Sequence, residues 1–562
     1  MGGKSVYMTK KVNLSIIIFL AAILIAGAGY FGYQEYLAKK DLLSKKQIIK
    51  NIGSHFTDTH SKGQDKLTAT YKQVLNDKSY TVQNPYVKIN PYETSPLTAL
   101  VLFQTDTKAK VSYMVKGQSK TTSLTNTVNE GYTTKHQVPI VGLYANYENT
   151  VQIKVDYQDG HSETKTLQLK TGSLPEYLDE DNIKVTKSDT AKMDIGDNKL
   201  TVINRTTKEP YAIDSDGKIR WYSTNWSQHT IEQLKNGHLL LQTKLNNEAK
   251  AYNYLLEQDY LGRVYKEYKF NSSAGNKEQA GYPATVIHHD VTELPNGDLI
   301  ATVNDGSDKY VEDTIVQISH KTGKVVKVID LKRLLPAKMY LKYKEKTDSG
   351  QYDWLHVNAV DYDKKDGSLL ISARNQDLIM KLDYKTDQIE WIYCNKDKKE
   401  WPRKYRKKLL TPTKGTAYTG GQHGIYVLSN DGKTENILLY DNNIAVTNGD
   451  KDTSGKYSQA IEYKIDNENK TITQVWDYGK ELGEDNFTSI IGYAQRLDNQ
   501  NTLIDFGFKN QGAESNIIEV TKDGQQIFNV TLKTSAADKT YVYRAYRWEF
   551  YSSNYVFDLN KD

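Results

Sequence analysis

The sequence predicts an all-β protein: a six-bladed β-propeller with an N-terminal β-sandwich domain, preceded by a transmembrane helix and a helical stalk. Three observations predict this order. Groups of strand-like segments and turn residues recur every ~40–50 residues through most of the chain, which is typical of propellers. A smaller group of short strands lies before them, as in immunoglobulin-like sandwiches. A long apolar run without charges lies near the N-terminus.

The composition is that of a β-rich globular protein with more than one domain. The chain has 562 residues, too many for a single hydrophobic core. Its net charge of +5 is small for this length, so we expect no nucleic-acid partner. Cys394 is the one cysteine, which excludes an intrachain disulfide.

The first 34 residues predict a membrane anchor. Residues 1–12 carry three lysines and no acidic residue, and residues 13–34 carry no charge. About 20 apolar residues cross the hydrocarbon core as a helix, and lysines favour the cytoplasmic side. We therefore predict a cytoplasmic N-terminus over 1–12, a transmembrane signal-anchor helix over 13–34 and a single-pass protein of the cell membrane. A cleaved signal peptide ending near Ala26-Gly27-Ala28 is the alternative.

Two further regions precede the propeller. Residues 35–80 are rich in Lys, Leu and Gln and predict a helical stalk or linker that is exposed to solvent. Residues 81–172 contain short strands such as Val151–Val155, separated by glycine turns such as Asp159-Gly160, and predict the N-terminal β-sandwich domain.

The propeller is predicted over residues 185–562. Two long insertions, 333–353 and 396–417, would be loops on one face of it. The repeating units lie near 191–224, 228–270, 286–332, 354–394, 418–478 and 487–532.

The stretch from Asp353 to Asp377 predicts a β-hairpin that carries candidate site residues. Apolar and polar residues alternate around an Asp-Gly turn at Gly367. Because the two ends of a hairpin return to the same place, we expect His356, Asn358 and Arg374 to lie together. The spacing from His356 to Arg374 is eighteen residues.

Histidine enters a strand about ten residues before a turn glycine in three of the units. These histidines are His288 or His289, His356 and His423. The innermost strand of each propeller blade lines the central channel, so residues at equivalent places converge on the axis. Register does not decide which of His288 and His289 faces the channel, since a shift of one residue exchanges the faces.

Three histidines and an arginine favour an anionic substrate over a metal. Histidines can bind zinc, but Arg374 would repel a cation, and no cluster of acidic residues accompanies the histidines apart from Asp290. A guanidinium offers forked donors to a tetrahedral oxyanion, and a neutral imidazole can carry a transferred group covalently. We therefore predict no metal and no cofactor.

The order of short motifs resembles that of the bacterial aryl-sulfate sulfotransferase family, which needs no nucleotide donor. The resemblance covers roughly residues 85–562, and the chain looks like a membrane-anchored member. The matching motifs are His288-His289-Asp290, Trp354–Asn358, Ser372–Asp377, Leu409–Pro412, Gln422-His423, Tyr457–Asp466, Val475–Glu481 and Tyr543-Arg544-Ala545.

This resemblance implies a fold, a reaction and a set of roles. The family fold is a six-bladed propeller with an N-terminal β-sandwich, usually as a homodimer. The family's nucleophilic histidine falls on His423, and its other site residues fall on the His288–Asp290 motif, His356, Asn358 and Arg374. The substrates would be a phenolic sulfate donor and a phenol acceptor. Periplasmic members have a disulfide near the nucleophile, which this chain cannot form.

The resulting prediction is a ping-pong mechanism in an extracellular catalytic domain. His423 attacks sulfur and forms a sulfohistidine, while Arg374 and Asn358 bind the sulfuryl oxygens. His356, or the His288–His289 pair, protonates the departing phenolate. Two alternatives stay open, a metal-dependent propeller hydrolase and a non-enzymatic extracellular binding propeller.

Overall fold

The computed structural model describes residues 42–271 and 285–561, together with Tyr33, Tyr36, Leu37, Lys39 and Lys40. The described chain is mostly β, with its strands in seven sheets. The α-helices within these residues are short: Lys45–Ile52, Gln64–Asn76, Leu331–Leu334, Ala337–Leu341 and Arg403–Arg406. The 3-10 helices there are Glu180–Asn182, Arg374–Gln376, Lys398–Glu400, Lys480–Asn486 and Asn510–Gly512.

The N-terminal sheet is built around one long strand, Thr98–Val115. The first half of this strand pairs with two strands and the second half with two others, with a register shift between Gln104 and Ala109. The two halves of the long strand therefore have different partners, an arrangement that is compatible with a sandwich in which one strand serves both layers. The other strands of this sheet are Tyr86–Ile89, Leu124–Thr127, Thr133–Val141, Glu148–Tyr157 and Ser162–Lys170.

Six further sheets follow, which we number 1 to 6. Sheets 1 and 2 each recruit a strand that is distant in sequence. Sheet 1 contains Lys199–Arg205, Tyr211–Ile213, Ile219–Tyr222 and Val542–Glu549. Sheet 2 contains Ile231–Gln233, Leu239–Thr243, Tyr254–Gln258, Val264–Lys269 and His55–Phe56. Sheet 3 contains Ile287–Glu293, Leu299–Val303, Thr314–Ile318 and Val325–Asp330.

Sheets 4 to 6 continue the series. Sheet 4 contains Val357–Asp363, Ser368–Ala373, Leu378–Asp383 and Gln388–Tyr393. Sheet 5 contains Thr411–Pro412, His423–Asn430, Thr434–Asp441, Gln459–Asp466 and Thr471–Tyr478. Sheet 6 contains Tyr493–Arg496, Thr502–Lys509, Glu514–Val520, Gln526–Lys533 and Ile183–Ser188.

The six sheets form a closed ring. The edge strands Ile287–Glu293, Val357–Asp363, His423–Asn430 and Tyr493–Arg496 of sheets 3 to 6 contact one another in succession, and Tyr493–Arg496 contacts Val542–Glu549 of sheet 1. The Tyr546 hydroxyl hydrogen-bonds Glu232 of sheet 2 at 3.1 Å. Gln242 of sheet 2 donates to the carbonyl oxygen of Ile287 in sheet 3 at 2.8 Å. The arrangement is propeller-like and brings the starts of the inner strands together.

One hydrophobic core joins the N-terminal sheet to this ring. It contains Val111 and Ile140 of the N-terminal sheet and Ile213 and Phe528 of sheets 1 and 6, all at most 1% exposed. Burial of this apolar surface holds the N-terminal sheet against the ring rather than leaving it on a free tether.

The region that we expected to be a solvated stalk packs on the sheets instead. The helix Lys45–Ile52 buries Ile48 and Ile52 completely among the core residues of sheets 2 and 3. His55–Phe56 then adds a strand to the edge of sheet 2, and Gln64–Asn76 buries one face. The sequence did not predict this packing, because only one side of each short helix is apolar and the other residues are polar.

The structure contradicts the predicted location in the cell membrane. The predicted helix over 13–34 lies, apart from Tyr33, outside the described residues. Among the residues that are described, no helix is long and apolar enough to cross a membrane. The longest, Gln64–Asn76, has 13 residues, whereas about 20 are needed.

Candidate active site

A cavity of about 470 Å³ opens where the inner strands of the ring begin. Each of the six sheets contributes to its wall, through a strand start or the loop before it. Pockets of this size suit small organic molecules. The lining residues that matter here are His229, His288, His289, Glu312, Asp353, His356, Arg374, His423 and Tyr543.

Bulged strand starts turn the histidines toward this cavity. Between Ile287 and Val291 the pairing with the next strand skips residues, and the same occurs beside His423. His289 and His356 also have positive φ angles, +56° and +52°. Such conformations are costly for residues other than glycine and are concentrated at functional sites. Because of the bulge, both His288 and His289 line the cavity.

The orientation of His423 is fixed by Asn442. Nδ1 of His423 lies 2.7 Å from Oδ1 of Asn442. The Asn442 amide nitrogen donates to the carbonyl oxygens of Thr488 at 3.0 Å and Ile491 at 2.8 Å, so Oδ1 must be an acceptor. His423 therefore carries its proton on Nδ1, and the lone pair on Nε2 is free.

Burial and charge keep His423 neutral. The residue is 4% exposed. Burial first, and then the positive charge of Arg374, hold the pKa of His423 well below its ordinary value. A neutral imidazole with a free Nε2 can act as a nucleophile.

Arg374 begins the 3-10 helix at the end of the hairpin. Its backbone nitrogen donates to the carbonyl oxygen of His356 at 3.0 Å, which ties the hairpin ends together. The guanidinium donates to Asn375 Oδ1 at 2.8 Å and more weakly to Ser489 O at 3.4 Å. Within the part of the chain that the structure describes, its buried Nε has no hydrogen-bond partner. Part of the guanidinium is thus left for an anion in the cavity.

His356 has the opposite charge state to His423. Its Nδ1 lies 2.5 Å from Asp353 Oδ2 and 2.7 Å from Glu312 Oε2. Burial opposes the charged form, but Asp353 and Glu312 prevail and raise the pKa of His356 to about 10. Both carboxylates contact Nδ1, so Nε2 of this imidazolium can donate a proton elsewhere.

His289 and His229 lie next to Glu312 in the cavity wall. Their rings stack with centroids 4.9 Å apart. His289 Nε2 lies 3.0 Å from Glu312, and its Nδ1 lies 3.1 Å from the Tyr543 hydroxyl. The His289 backbone nitrogen donates to His229 Nδ1 at 3.2 Å, so the proton of His229 is on Nε2. Burial, above all other causes, lowers the pKa of both histidines.

His288 is buried, and neither of its ring nitrogens has a hydrogen-bond partner among the described residues. Burial lowers the pKa of His288 to about 3, so its ring is neutral. An unsatisfied imidazole in a cavity wall can accept a hydrogen bond from a ligand or donate one to it.

Asn358 does not line the cavity. It is fully buried, and its Nδ2 donates to the carbonyl oxygen of Gln422 at 2.7 Å. Gln422 in turn donates to Ser372 Oγ at 3.1 Å. These bonds hold the start of the strand that carries His423. Direct binding of the sulfuryl group by Asn358 stays a prediction. The contacts of Asn358 support a role in positioning the strand that carries His423.

Hydrogen bonds to Asp377 hold the chain before His423, where no disulfide can form because Cys394 is the one cysteine. Asp377 accepts from the backbone nitrogens of Gly421, Thr447, Asn448 and Gly449 at 2.7–2.8 Å. One buried carboxylate thus links sheet 4 to two loops of sheet 5.

Two sets of cavity side chains have a spacing that could hold a metal ion. They are His288, His289 and Glu312, and Glu312, Asp353 and His356. In the second set, Asp353 and Glu312 contact His356 directly and raise its pKa, so a metal ion would have to displace the imidazole proton. Arg374 in the same wall favours an anion over a cation.

The structure places the predicted residues His288, His289, His356, Arg374 and His423 around one cavity, together with residues that the sequence analysis missed. His229 had a signal, since it lies eight residues before the turn glycine Gly237. Glu312 and Asn442 lie in a loop and at the end of a neighbouring strand, without a local pattern. Asp353 begins the predicted hairpin and Tyr543 lies in one of the matching motifs, but the sequence analysis assigned neither residue a role.

Sequence comparison defines the class. The model of the arylsulfotransferase (ASST) family matches residues 184–544, more than half of the chain, and that of the arylsulfotransferase Ig-like domain matches residues 86–172. The chain therefore belongs to the arylsulfotransferase family, which confirms the predicted family and supports a sulfotransferase.

Two curated relatives are similar along most of the chain. The arylsulfate sulfotransferase AssT of Escherichia coli O6:H1 is 25% identical over 519 residues, covering 75% of this chain and 84% of the relative. AssT of Lelliottia amnigena is 24% identical over 528 residues with the same coverage.

Similarity to solved structures is weak. The periplasmic gluconolactonase of Pseudomonas aeruginosa is 10% identical with a TM-score of 0.33, covering 78% of this chain and 99% of that one. Virginiamycin B lyase of Staphylococcus aureus is 11% identical with a TM-score of 0.27, covering 70% and 95%. TM-scores this low support no conclusion about the function of this chain.

Proposed function

We propose that the protein moves a sulfuryl group from a phenolic sulfate ester to a phenol, with His423 as the covalent carrier. The observation that supports this most is the contrast between two imidazoles in one cavity. His423 is neutral with a free Nε2, whereas the pKa of His356 is raised to about 10. A nucleophile and an acid are the two groups that the reaction needs.

In the first half-reaction, Nε2 of His423 forms a bond to sulfur, and the bond from sulfur to the phenolic oxygen breaks. The product is an N-sulfohistidine. Arg374 holds the sulfuryl oxygens as negative charge moves through the transition state. His356 gives its Nε2 proton to the phenolic oxygen, so the first product leaves as a neutral phenol.

The raised pKa of His356 suits this proton transfer. A phenol has an ordinary pKa of about 10. The pKa of His356 is also about 10, so the proton passes between groups of matched affinity. At neutral pH the histidine is protonated and ready to donate.

In the second half-reaction, a new phenol occupies the place of the first. His356, now neutral, takes the proton from its hydroxyl group. The phenolic oxygen attacks sulfur, the bond from sulfur to His423 breaks, and Nε2 regains its lone pair. His289 hydrogen-bonds Glu312 and Tyr543 through its ring and His229 through its backbone nitrogen, and this network keeps the acid–base residues in place.

We further propose that the six sheets are the blades of one six-bladed propeller over residues 185–562, with residues 81–172 as a separate sandwich domain. The closed ring of inner strands and the change of strand partners along Thr98–Val115 support this division. The homodimer stays a prediction, which sedimentation of the full chain can check.

The full chain should be incubated with a chromogenic aryl sulfate, with and without added phenol, and with and without chelator. We expect product release that rises with phenol and is unaffected by chelator. Loss of turnover on chelation would instead favour a metal-dependent hydrolase at the His288–His289–Glu312 set. No turnover with any aryl sulfate would favour a binding protein.

A further inference from the structure

Two buried lysines lie over the ring of one tryptophan beside the cavity. Nζ of Lys208 is 4.0 Å from the centroid of the Trp226 ring, and Nζ of Lys244 is 4.4 Å from it. The lysines also lie over Tyr177 at 4.2 Å and Tyr252 at 5.1 Å, respectively. Lys208 is only 9% exposed and Lys244 only 7%.

Neither ammonium group has an acidic partner within ion-pair distance in the described parts of the chain. The neighbouring carboxylate of Glu209 is used elsewhere, by Arg205 at 2.7 Å and by the Trp226 indole nitrogen at 2.8 Å. Burial of a charge without a counterion is costly. Burial and then the charge of Lys208 lower the pKa of Lys244 to about 8. An arriving anion would relieve this cost.

The cluster adjoins the wall of the active-site cavity. Thr206, Thr207 and Gln228 line that cavity. Lys208 directly follows Thr207 in the chain, and Trp226 lies two residues before Gln228. The Tyr252 hydroxyl donates to the carbonyl oxygen of Thr207 at 3.1 Å. A substrate whose reacting end lies at His423 could therefore extend toward the lysines.

We propose that Lys208, Lys244 and Trp226 form an outer subsite for an acidic group on the aromatic substrate, distant from the reacting oxygen. The lysines neutralise the anion, and the tryptophan and tyrosine rings contact apolar parts of the same molecule. The preferred substrates are then phenols, and their sulfate esters, that carry a second acidic group. This inference rests on the proposed sulfotransferase function.

The decisive comparison uses a phenol with a short para-alkyl carboxylate and the neutral methyl ester of the same compound as acceptors. With the wild-type chain at pH 7, we expect the acid to have the higher kcat/KM. Lys208→Met and Lys244→Met should each reduce kcat/KM for the acid by about tenfold, and leave the ester within about twofold. Lys464→Met, at an exposed strand position in sheet 5, is the matched control.

Equal kcat/KM for acid and ester in the wild type would overturn the subsite, whatever the variants do. An equal loss for both acceptors in the lysine variants would overturn it as well. If no aryl sulfate is turned over, calorimetric titration of the wild type and the double lysine variant with the acid separates the two claims. Binding that requires the lysines supports the subsite alone, and no binding by the wild type overturns it.

Discussion

Nδ1 of His423 lies 2.7 Å from Oδ1 of Asn442, whose amide nitrogen is held by two backbone carbonyl oxygens. This one relationship decides which nitrogen of His423 carries the proton. It also shows how a nucleophile can be oriented without a charged partner, because Asn442 accepts the Nδ1 proton but adds no charge.

Asn442→Ala should remove that orientation and reduce kcat on the order of 10²-fold, since a wrong tautomer of a catalytic histidine is severely damaging. The substitution also removes a buried donor to the carbonyl oxygens of Thr488 and Ile491, so thermal unfolding must be measured beside turnover. Asn469→Ala, at an exposed turn, is the control and should be active. Near-normal kcat in Asn442→Ala would remove the orienting role.

Arg374→Lys keeps the positive charge and loses the forked donors. We expect turnover to fall by about 10²-fold or more, because a single ammonium cannot hold two sulfuryl oxygens in the same geometry. Arg403→Lys makes the same change at an exposed position and should have no effect. Wild-type turnover in Arg374→Lys would show that the guanidinium does not bind the transferred group.

The pH profile should have a wide plateau. His423 must be neutral, and its pKa lies well below the ordinary value, so activity should persist at pH 6. His356 must be protonated to donate, so kcat/KM for the donor should fall only near pH 10. Asp353→Asn removes one negative partner, lowers the pKa of His356 and moves this basic limb to lower pH.

Glu468→Asn or Glu468→Gln, at an exposed turn, controls for the loss of a carboxylate and should leave the basic limb in place. An unshifted limb in Asp353→Asn would mean that His356 is not the proton donor.

Asp377→Ala should loosen the chain before His423. Hydrogen bonds to a charged acceptor contribute about 1.5–3 kcal/mol each, so the loss of several should lower the free energy of unfolding by at least about 2 kcal/mol. Hydrogen exchange should increase at residues 446–449, whose backbone nitrogens bond to Asp377. Unchanged exchange there would show that this carboxylate does not replace the missing disulfide.

The sequence predicted the positions of the inner-strand histidines because they recur at one place in a repeating unit. It failed to choose between His288 and His289 because the rule of alternating faces assumes a regular strand. The bulge between Ile287 and Val291 breaks that rule and exposes both rings to the cavity.

The sequence did not predict which residues set the protonation of His356 and His423. Glu312 reaches His356 from another loop, and Asn442 reaches His423 from the neighbouring strand end. No local spacing relates these pairs. Asp353 lies only three residues before His356, but no repeating pattern in the sequence assigns it to the site. The packed region around Ile48 and Ile52 was missed for a related reason, since its apolar face is only two turns long.

The central claim is that His423 carries the sulfuryl group, and a mass measurement tests it most directly. The full chain should be incubated with an aryl sulfate and no acceptor, quenched in alkali and digested. We predict a mass increase of one sulfuryl group on the peptide containing His423, which disappears when phenol is added and is absent in folded His423→Asn. An unlabelled His423 peptide, with turnover intact and no burst of first product, would contradict the covalent mechanism and indicate direct transfer between two bound substrates.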